Sequence, residues 1–157
     1  MNPDDQFLAR AIELARKAGS SGQGGPFGAV IVRDGAIVAE GWNRVIAMND
    51  PTAHAEIGAI RSACALLANY HLPGCTLYAS SEPCPMCLSA AYWARIERIV
   101  FANTRAEAAA IGFCDDELYI ELNRNFAARR IAMEHRPIAG ALEPLAQWSA
   151  NPAHITY

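Results

Sequence analysis

Two short segments of the chain carry the residue types that bind a metal ion. The first supplies His54 and Glu56, and the second supplies Cys84 and Cys87. One histidine and two cysteines, with a fourth position left open, form the ligand pattern of a catalytic zinc ion, whereas a structural zinc ion takes four protein ligands. Neither segment has a fourth cysteine or histidine beside it. We therefore expect His54, Cys84 and Cys87 to bind one Zn²⁺ ion, with Glu56 as a free carboxylate next to it.

The spacing of these residues indicates that each segment opens a helix. Cys84 and Cys87 stand at positions i and i+3, which are neighbours on one face of a helical turn. Pro85 suits the first helical position, so Cys84 falls at the N-cap. The positive end of the helix there favours the thiolate that binds metal. His54 and Glu56 do not share a helix face, so they converge on a metal only beyond the N-terminal end of their own helix.

A glycine-rich loop at residues 19–26 precedes a β-rich run. The loop lacks the Lys-Ser or Lys-Thr ending of a phosphate-binding P-loop and does not follow a strand. Glycine allows a backbone to come close to a neighbouring group. We therefore expect this loop to let Phe27 and its backbone approach a small ligand closely.

Helices and strands alternate around these segments. The apolar pattern and the capping signals predict helices between Asn2 and Gly19 and at 53–69, 84–95, 104–112, 115–122 and 144–150, and strands at 27–32, 37–42, 75–80, 96–102 and 131–136. Asp34-Gly35 between the first two strands is a hairpin signal. The later strand–helix–strand unit is expected to be parallel. The sequence therefore predicts a three-layer α/β/α domain around one mixed sheet.

Length and composition narrow the class of protein. The chain has 157 residues, of which 52% are hydrophobic, and this fits one domain with a real core. It has no apolar run of the ~18 residues that a membrane span needs, and the acidic residues 1–5 do not resemble a signal peptide. The five cysteines are an odd number. We expect Cys64, Cys75 and Cys114 to be reduced and buried in a cytoplasmic protein.

The charge does not favour a nucleic-acid-binding protein. The net charge is −3, and nucleic-acid binders usually present a broad basic face. The strongest basic cluster consists of Arg124, Arg129, Arg130 and Arg136. We interpret Arg129 and Arg130 as part of a solvated helix face.

Taken together, these motifs resemble the cytidine-deaminase-like zinc superfamily, in which H-x-E and P-C-x-x-C are the signature. The chain resembles the bacterial guanine deaminases in particular. The similar segments are residues 24–32, 49–56, 81–87 and 92–95, together with Gly112, Phe113, Asp115, Asp116, Trp148 and Tyr157. Cys114 departs from the pattern, which has an acid at that place. This leaves the choice between Asp115 and Asp116 open.

The resemblance implies a fold, an assembly and a reaction. The fold is a five-stranded mixed sheet between helices, with zinc at the helix N-termini, and residues 1–157 form a single zinc-dependent deaminase domain. The assembly is a homodimer in which residues 137–157 act as a C-terminal lid that crosses to the partner. The reaction is the hydrolytic deamination of a small purine base, guanine to xanthine and ammonia. The sequence does not fix the physiological base or whether the tail is exchanged.

The resemblance also implies roles for individual residues. Glu56 is the proton shuttle, and Asn43 and Asp115 form hydrogen bonds with the purine edge, so that Glu56 and Asp115 are the catalytic residues. Further substrate contacts are expected from Phe27, the backbone of Ala55, Trp93 and Tyr157.

Other functions share the same core. One is a tRNA adenosine deaminase, and another is an amine hydrolase for cytosine, a pterin or a triazine. A third is a zinc-binding scaffold without catalysis, which the intact Glu56 argues against. RNA needs an open groove, whereas a lid admits only a small molecule. A closing C-terminal segment therefore favours a small base as the substrate.

Overall fold

The structure is a computed structural model that describes residues 2–157, and it divides into two compact units. The first unit extends to Leu118, and the second runs from Tyr119 to Tyr157. Within residues 2–157, no helix combines the length and the apolar character that a membrane crossing requires. The interpretation of the whole chain as one domain with a lid at residues 137–157 stays a prediction.

The chain forms four strands and seven helices over residues 2–157. The strands are β1 (Gly28–Arg33), β2 (Ala36–Trp42), β3 (Cys75–Ser81) and β4 (Arg98–Asn103). The helices are α1 (Pro3–Ser20), α2 (Val45–Met48), α3 (Ala55–Leu67), α4 (Pro85–Trp93), α5 (Arg105–Ala110), α6 (Asp116–Asn123) and α7 (Glu143–Ala150), and a 3-10 turn spans Phe126–Ala128.

The sheet has the mixed character that the sequence predicts. Its strand order is β2-β1-β3-β4. Strand β1 is antiparallel to both β2 and β3, whereas β3 and β4 are parallel. Asp34 and Gly35 in the β1–β2 turn have positive φ angles of 52° and 74°, the conformation that two-residue hairpin turns require. The α/β fold and the predicted hairpin are therefore confirmed.

The predicted count of five strands is wrong, because residues 131–136 form no strand. Apolar and polar residues alternate in this segment, but Ile131 is 78% exposed. A strand needs a neighbour that pairs with its backbone groups and packs against its side chains. Alternation in the sequence does not supply that neighbour. The expectation that the three remaining cysteines are buried is also wrong for Cys114, which is exposed.

The two faces of the sheet are covered by different helices in the first unit. Ala29 and Ile31 of β1 pack in the core cluster that contains residues of α3 and α4. Val30 and Val32, which alternate with them, pack with Phe7 of α1. Successive side chains of a strand point to opposite faces. This arrangement gives the three layers that the sequence predicts.

Helix α3 is held very close to β2, and this places its N-terminus. A Cβ atom on Gly41 of β2 would lie 2.1 Å from the backbone oxygen of Ala55, the first residue of α3. Only glycine permits such a close approach between the two backbones. The first turn of α3 therefore starts directly over the sheet, next to the start of α4.

Candidate active site

Two helix N-caps bring the three predicted metal ligands together. His54 is the N-cap of α3 and Cys84 is the N-cap of α4, with Pro85 at the first helical position. Cys87 lies one turn further along α4. The ligand atoms of these three residues all lie within 4.8 Å of one another. The helix starts that the sequence predicts therefore place these three ligands next to one another.

The geometry of the cluster fits a tetrahedral zinc ion. His54 Nδ1 lies 3.6 Å from Cys84 Sγ and 3.5 Å from Cys87 Sγ. Zinc takes sulfur ligands at ~2.3 Å and nitrogen ligands at ~2.0 Å, and tetrahedral angles then separate the nitrogen and sulfur atoms by about 3.5 Å. The separations in the structure match this value, and the donor set of one imidazole and two thiols is one that zinc prefers.

The protonation of the cluster reflects its internal hydrogen bonds. A hydrogen bond from the Cys87 thiol lowers the pKa of Cys84 to about 4, and His54 contributes in the same direction. The hydrogen bond with Cys84 raises the pKa of His54. The lowered pKa favours the thiolate form of Cys84, which is the form that binds metal.

Glu56 lies beside the cluster without belonging to it. It is the second residue of α3 and only 8% exposed. Burial raises the pKa of its carboxyl group. A buried carboxyl with a raised pKa is suited to accept and return a proton. This position matches the predicted role of a free carboxylate.

A cavity of about 280 Å³ opens in front of the cluster. Six of the residues discussed above line it: Phe27, Asn43, His54, Glu56, Cys84 and Asp115. Small-molecule sites are usually concave and mainly apolar, with a few placed polar groups. The cavity meets that description and its volume suits a small ring system.

Phe113 lines the cavity. The sequence assigned no role to this residue. Its ring meets the ring of Phe27 edge to face, with a centroid separation of 4.8 Å and an interplanar angle of 88°. Edge-to-face contacts stabilise aromatic pairs beyond their buried area. The signal in the sequence was the Gly112-Phe113 pair, since Gly112 has a positive φ of 97° and redirects the chain at that point.

The structure distinguishes the two neighbouring aspartates. Asp115 lines the cavity, and burial raises the pKa of its carboxyl group. Asp116 begins α6 and lies 3.4 Å from the guanidinium of Arg105. Asp115 is therefore the aspartate that can reach a ligand in the cavity.

Three further predicted contacts lie elsewhere or are indirect. Ala55 is buried between His54 and Glu56. Trp93 does not line the cavity: it is the last residue of α4 and is 63% exposed. The N-terminal end of α4 faces the cluster, and eight residues of helix separate Trp93 from it by about 12 Å. Tyr157 belongs to the second unit and is 68% exposed. The contacts of the Ala55 backbone, Trp93 and Tyr157 with a substrate stay predictions.

These features define a zinc-binding deaminase domain, and comparison with known proteins agrees. Residues 1–103 match the model of the cytidine and deoxycytidylate deaminase zinc-binding region, and the chain belongs to this family. The cluster of His54, Cys84 and Cys87 lies inside the matched region.

Individual relatives resemble the chain over different lengths. A guanine deaminase from Bacillus subtilis is 49% identical over 144 residues, which cover 92% of each protein. The X-ray structure of the Bacillus subtilis guanine deaminase superposes with a TM-score of 0.95 and 46% identity over 100% of this chain and 99% of that one. A tRNA-specific adenosine deaminase from Haemophilus influenzae is 45% identical over 118 residues, which cover 72% of this chain and 68% of that protein.

Proposed function

We propose that the protein is a zinc-dependent aminohydrolase that converts guanine and water into xanthine and ammonia. The observation that carries this proposal is the convergence of His54, Cys84 and Cys87 with the buried Glu56 at one cavity. The similarity to a guanine deaminase over 92% of both proteins supports the choice of base. One zinc ion per active site is enough for the reaction.

In this reaction, Glu56 transfers protons from the attacking water to the substrate. His54, Cys84 and Cys87 would hold the zinc ion, which would lower the pKa of a water molecule and so provide the nucleophile for C2 of guanine. Glu56 accepts one proton of that water and delivers it to the ring nitrogen next to C2. It then takes the remaining proton of the new C2 hydroxyl group and delivers it to the amino group, which leaves as ammonia while the C2 carbonyl forms. The products are xanthine and ammonia, so atoms and charges balance.

The choice of base depends on polar groups around the cavity. Asn43 and Asp115 provide hydrogen-bonding groups for the purine edge, and Phe27 provides a flat apolar wall. A site built to form hydrogen bonds rejects an analogue that leaves its buried polar groups unpaired. Guanine specificity therefore belongs to Asn43 and Asp115, whereas the reaction class belongs to the zinc ligands and Glu56.

A tRNA adenosine deaminase is the second candidate, because the Haemophilus influenzae relative is 45% identical. That similarity covers 72% of this chain. Over 92% of the chain, the identity is 49% to the guanine deaminase and 34% to a tRNA-specific adenosine deaminase from Aquifex aeolicus. In the second unit, Arg124 pairs with Glu121 at 2.9 Å and Arg136 pairs with Glu134 at 3.5 Å. These ion pairs reduce the positive charge available to a phosphate backbone. A small base is therefore the favoured substrate.

A homodimer with exchanged C-terminal segments is part of the proposal, as is a cytoplasmic location. Large apolar side chains of the second unit are exposed on the single chain, among them Ile138, Leu142, Leu145 and Ile155. Large apolar side chains exposed in such number are typical of a segment that packs against a partner. Residues 137–157, ending at Tyr157, would then close the cavity of the partner subunit.

The role of Glu56 is tested by replacing it with alanine. We expect the rate of guanine turnover to fall by about 10²- to 10⁴-fold, the usual contribution of a general acid–base group, while zinc stays bound. Turnover is measured by xanthine formation and zinc by elemental analysis. Glu97→Ala, an exposed glutamate of the same unit, is the matched control. Loss of zinc from Glu56→Ala would show instead that Glu56 is a ligand.

A further inference from the structure

Gln23, in the loop between α1 and β1, forms hydrogen bonds with the last residue of β2 and with the start of α2. The backbone N–H groups of Ile46 and Ala47 donate to the backbone oxygen of Gln23 at 3.1 and 3.0 Å. The indole N–H of Trp42 donates to the Gln23 side chain at 2.8 Å. These three hydrogen bonds fix the loop against residues 42–47, which include Asn43.

The same loop determines which end of the Asn43 amide faces the cavity. Asn43 Oδ1 accepts hydrogen bonds from the backbone N–H groups of Gly25 at 3.1 Å and Val45 at 3.3 Å. Two N–H donors require an oxygen between them, because the amide nitrogen would meet them with its own hydrogens. The oxygen is therefore committed to the protein backbone.

The amide nitrogen of Asn43 is the end left for a ligand. Asn43 is 4% exposed and lines the cavity. No hydrogen bond within residues 2–157 involves its Nδ2. Nδ2 is not among the fully enclosed side-chain atoms that lack a partner, so it opens onto the cavity, where it can donate to an acceptor on a bound molecule. The site therefore presents a donor, and only a donor, at this position.

Gly24 and Gly25 lie in close contact with Asn43 and with the aromatic rings of the cavity wall. A Cβ atom on Gly24 would lie 2.0 Å from Asn43 Oδ1 and 2.8 Å from the Asn43 backbone oxygen. A Cβ atom on Gly25 would lie 2.8 Å from the ring of Phe113 and 2.9 Å from the ring of Phe27. A methyl group at Gly24 therefore has to displace the amide, whereas one at Gly25 has to displace the aromatic wall.

We infer that residues 23–25 are a positioning element that holds the Asn43 amide with Nδ2 towards the cavity, so that the site selects substrates with a hydrogen-bond acceptor at that point. The inference rests on the proposed function in taking the substrate to be a purine base, whose O6, N3 and N7 are acceptors. Gly24 and Gln23 are positioning residues in this account, since they act through Asn43.

The test compares wild type, Gly24→Ala and the control Gly58→Ala. Gly58 lies in α3, where an added Cβ would meet its nearest atom at an ordinary 3.8 Å. For Gly24→Ala we expect the KM for guanine to rise at least about tenfold, equal to about 1.4 kcal/mol, with kcat within about threefold of wild type and zinc content unchanged. A folded Gly24→Ala protein with the wild-type KM would overturn the inference.

If Gly24→Ala does not fold, Asn43→Asp tests whether the site needs a hydrogen-bond donor at the position of Asn43 Nδ2. A carboxylate keeps an oxygen for the two backbone donors but puts an acceptor where Nδ2 was. We expect the melting temperature to stay within a few degrees of wild type and kcat/KM for guanine to fall at least about a hundredfold. Unchanged kinetics would contradict a donor-only position.

The inference and the proposed function can fail separately. If wild type releases no ammonia from guanine, the proposed function fails. Crystal structures of wild type and Gly24→Ala then decide the positioning role: the hydrogen bond from Gly25 N–H to Asn43 Oδ1 is expected in wild type and is expected to be lost in the variant. Its retention in Gly24→Ala would refute the role of the loop.

Discussion

Asp115 and Asp116 are adjacent in the chain and differ in their surroundings. Asp115 lines the cavity, and burial raises the pKa of its carboxyl group. Asp116 is paired with Arg105 at 3.4 Å, and both side chains are exposed. An exposed ion pair contributes only about 0–1 kcal/mol to stability. The two residues therefore offer a matched comparison between a substrate contact and a surface charge.

Asp115→Asn is expected to lower kcat/KM for guanine by about tenfold to a hundredfold, because a hydrogen bond to a charged group is worth about 1.5–3 kcal/mol. Asp116→Asn is expected to leave kcat/KM within about twofold of wild type. Steady-state xanthine formation measures both variants. Equal effects of the two substitutions would remove Asp115 from the substrate site.

The metal ligands were the residues that the sequence specified best. Zinc binding needs particular donor atoms, so His54, Cys84 and Cys87 are recognisable from their types and spacing. The wall residues are different, since any apolar side chain of suitable size can serve. Phe113 therefore received no role from the sequence, and the predicted substrate contact of Trp93, which does not line the cavity of the single chain, stays a prediction. The hydrogen bond from the Gly25 N–H group to Asn43 Oδ1 joins residues 18 positions apart in the chain. The local sequence pattern therefore could not predict it.

Elements that begin with a local signal were predicted closely. The Asn2 side chain caps α1, and the Thr104–Glu107 capping box opens α5. Capping depends on residues within one turn, so the sequence contains all the information needed. The short helix α2 and the missing strand at residues 131–136 depend on contacts made elsewhere. Local patterns could not decide either of them.

An ion-pair cluster links α1 to strands β3 and β4. Asp4 Oδ1 accepts a hydrogen bond from the Tyr78 hydroxyl at 2.6 Å, and Arg98 of β4 donates to both oxygens of Asp4. The hydrogen bonds from Arg98 and Tyr78 lower the pKa of Asp4 from 3.8 to about 2. A carboxylate with a depressed pKa stabilises the folded state above its ordinary pKa, and that stabilisation is lost as the pH falls through the folded value.

Asp4→Asn is therefore expected to reduce the free energy of unfolding at pH 5 to 7, and the difference from wild type is expected to shrink between about pH 4 and pH 2. Urea denaturation across this range provides the measurement. Asp5→Asn, an exposed neighbour on α1, is the control and is expected to show a smaller difference. A deficit in Asp4→Asn that is the same at pH 2 and pH 6 would contradict the account.

The second unit, Tyr119–Tyr157, carries the residues that the proposed dimer would use. Its large apolar side chains and Tyr157 are exposed on the single chain. The local sequence pattern gives no reason for apolar residues at these positions. The proposal that residues 137–157 cross to a partner and close its cavity gives them one. A single chain contains no information on such an exchange, so neither the sequence nor the fold of one subunit decides it.

Deleting residues 154–157 is expected to lower guanine turnover at least tenfold without changing zinc content, because the cavity then stays open to water. Mixed dimers provide a sharper measurement. A truncated chain with intact Glu56, coexpressed with a full-length Glu56→Ala chain, is expected to recover activity, since the intact tail would cover the intact site. No recovery would mean that each tail closes its own chain, and full activity of the truncated protein would exclude a lid.

We propose that this chain removes the amino group of guanine with a water molecule activated by zinc. Purified protein of known zinc content is incubated separately with guanine, adenine, cytosine and tRNA, and ammonia is measured together with the base produced. The account predicts ammonia and xanthine in equal amounts from guanine, with the activity lost on chelation of zinc and restored by its return. Ammonia from tRNA, adenine or cytosine in the absence of any from guanine would contradict it.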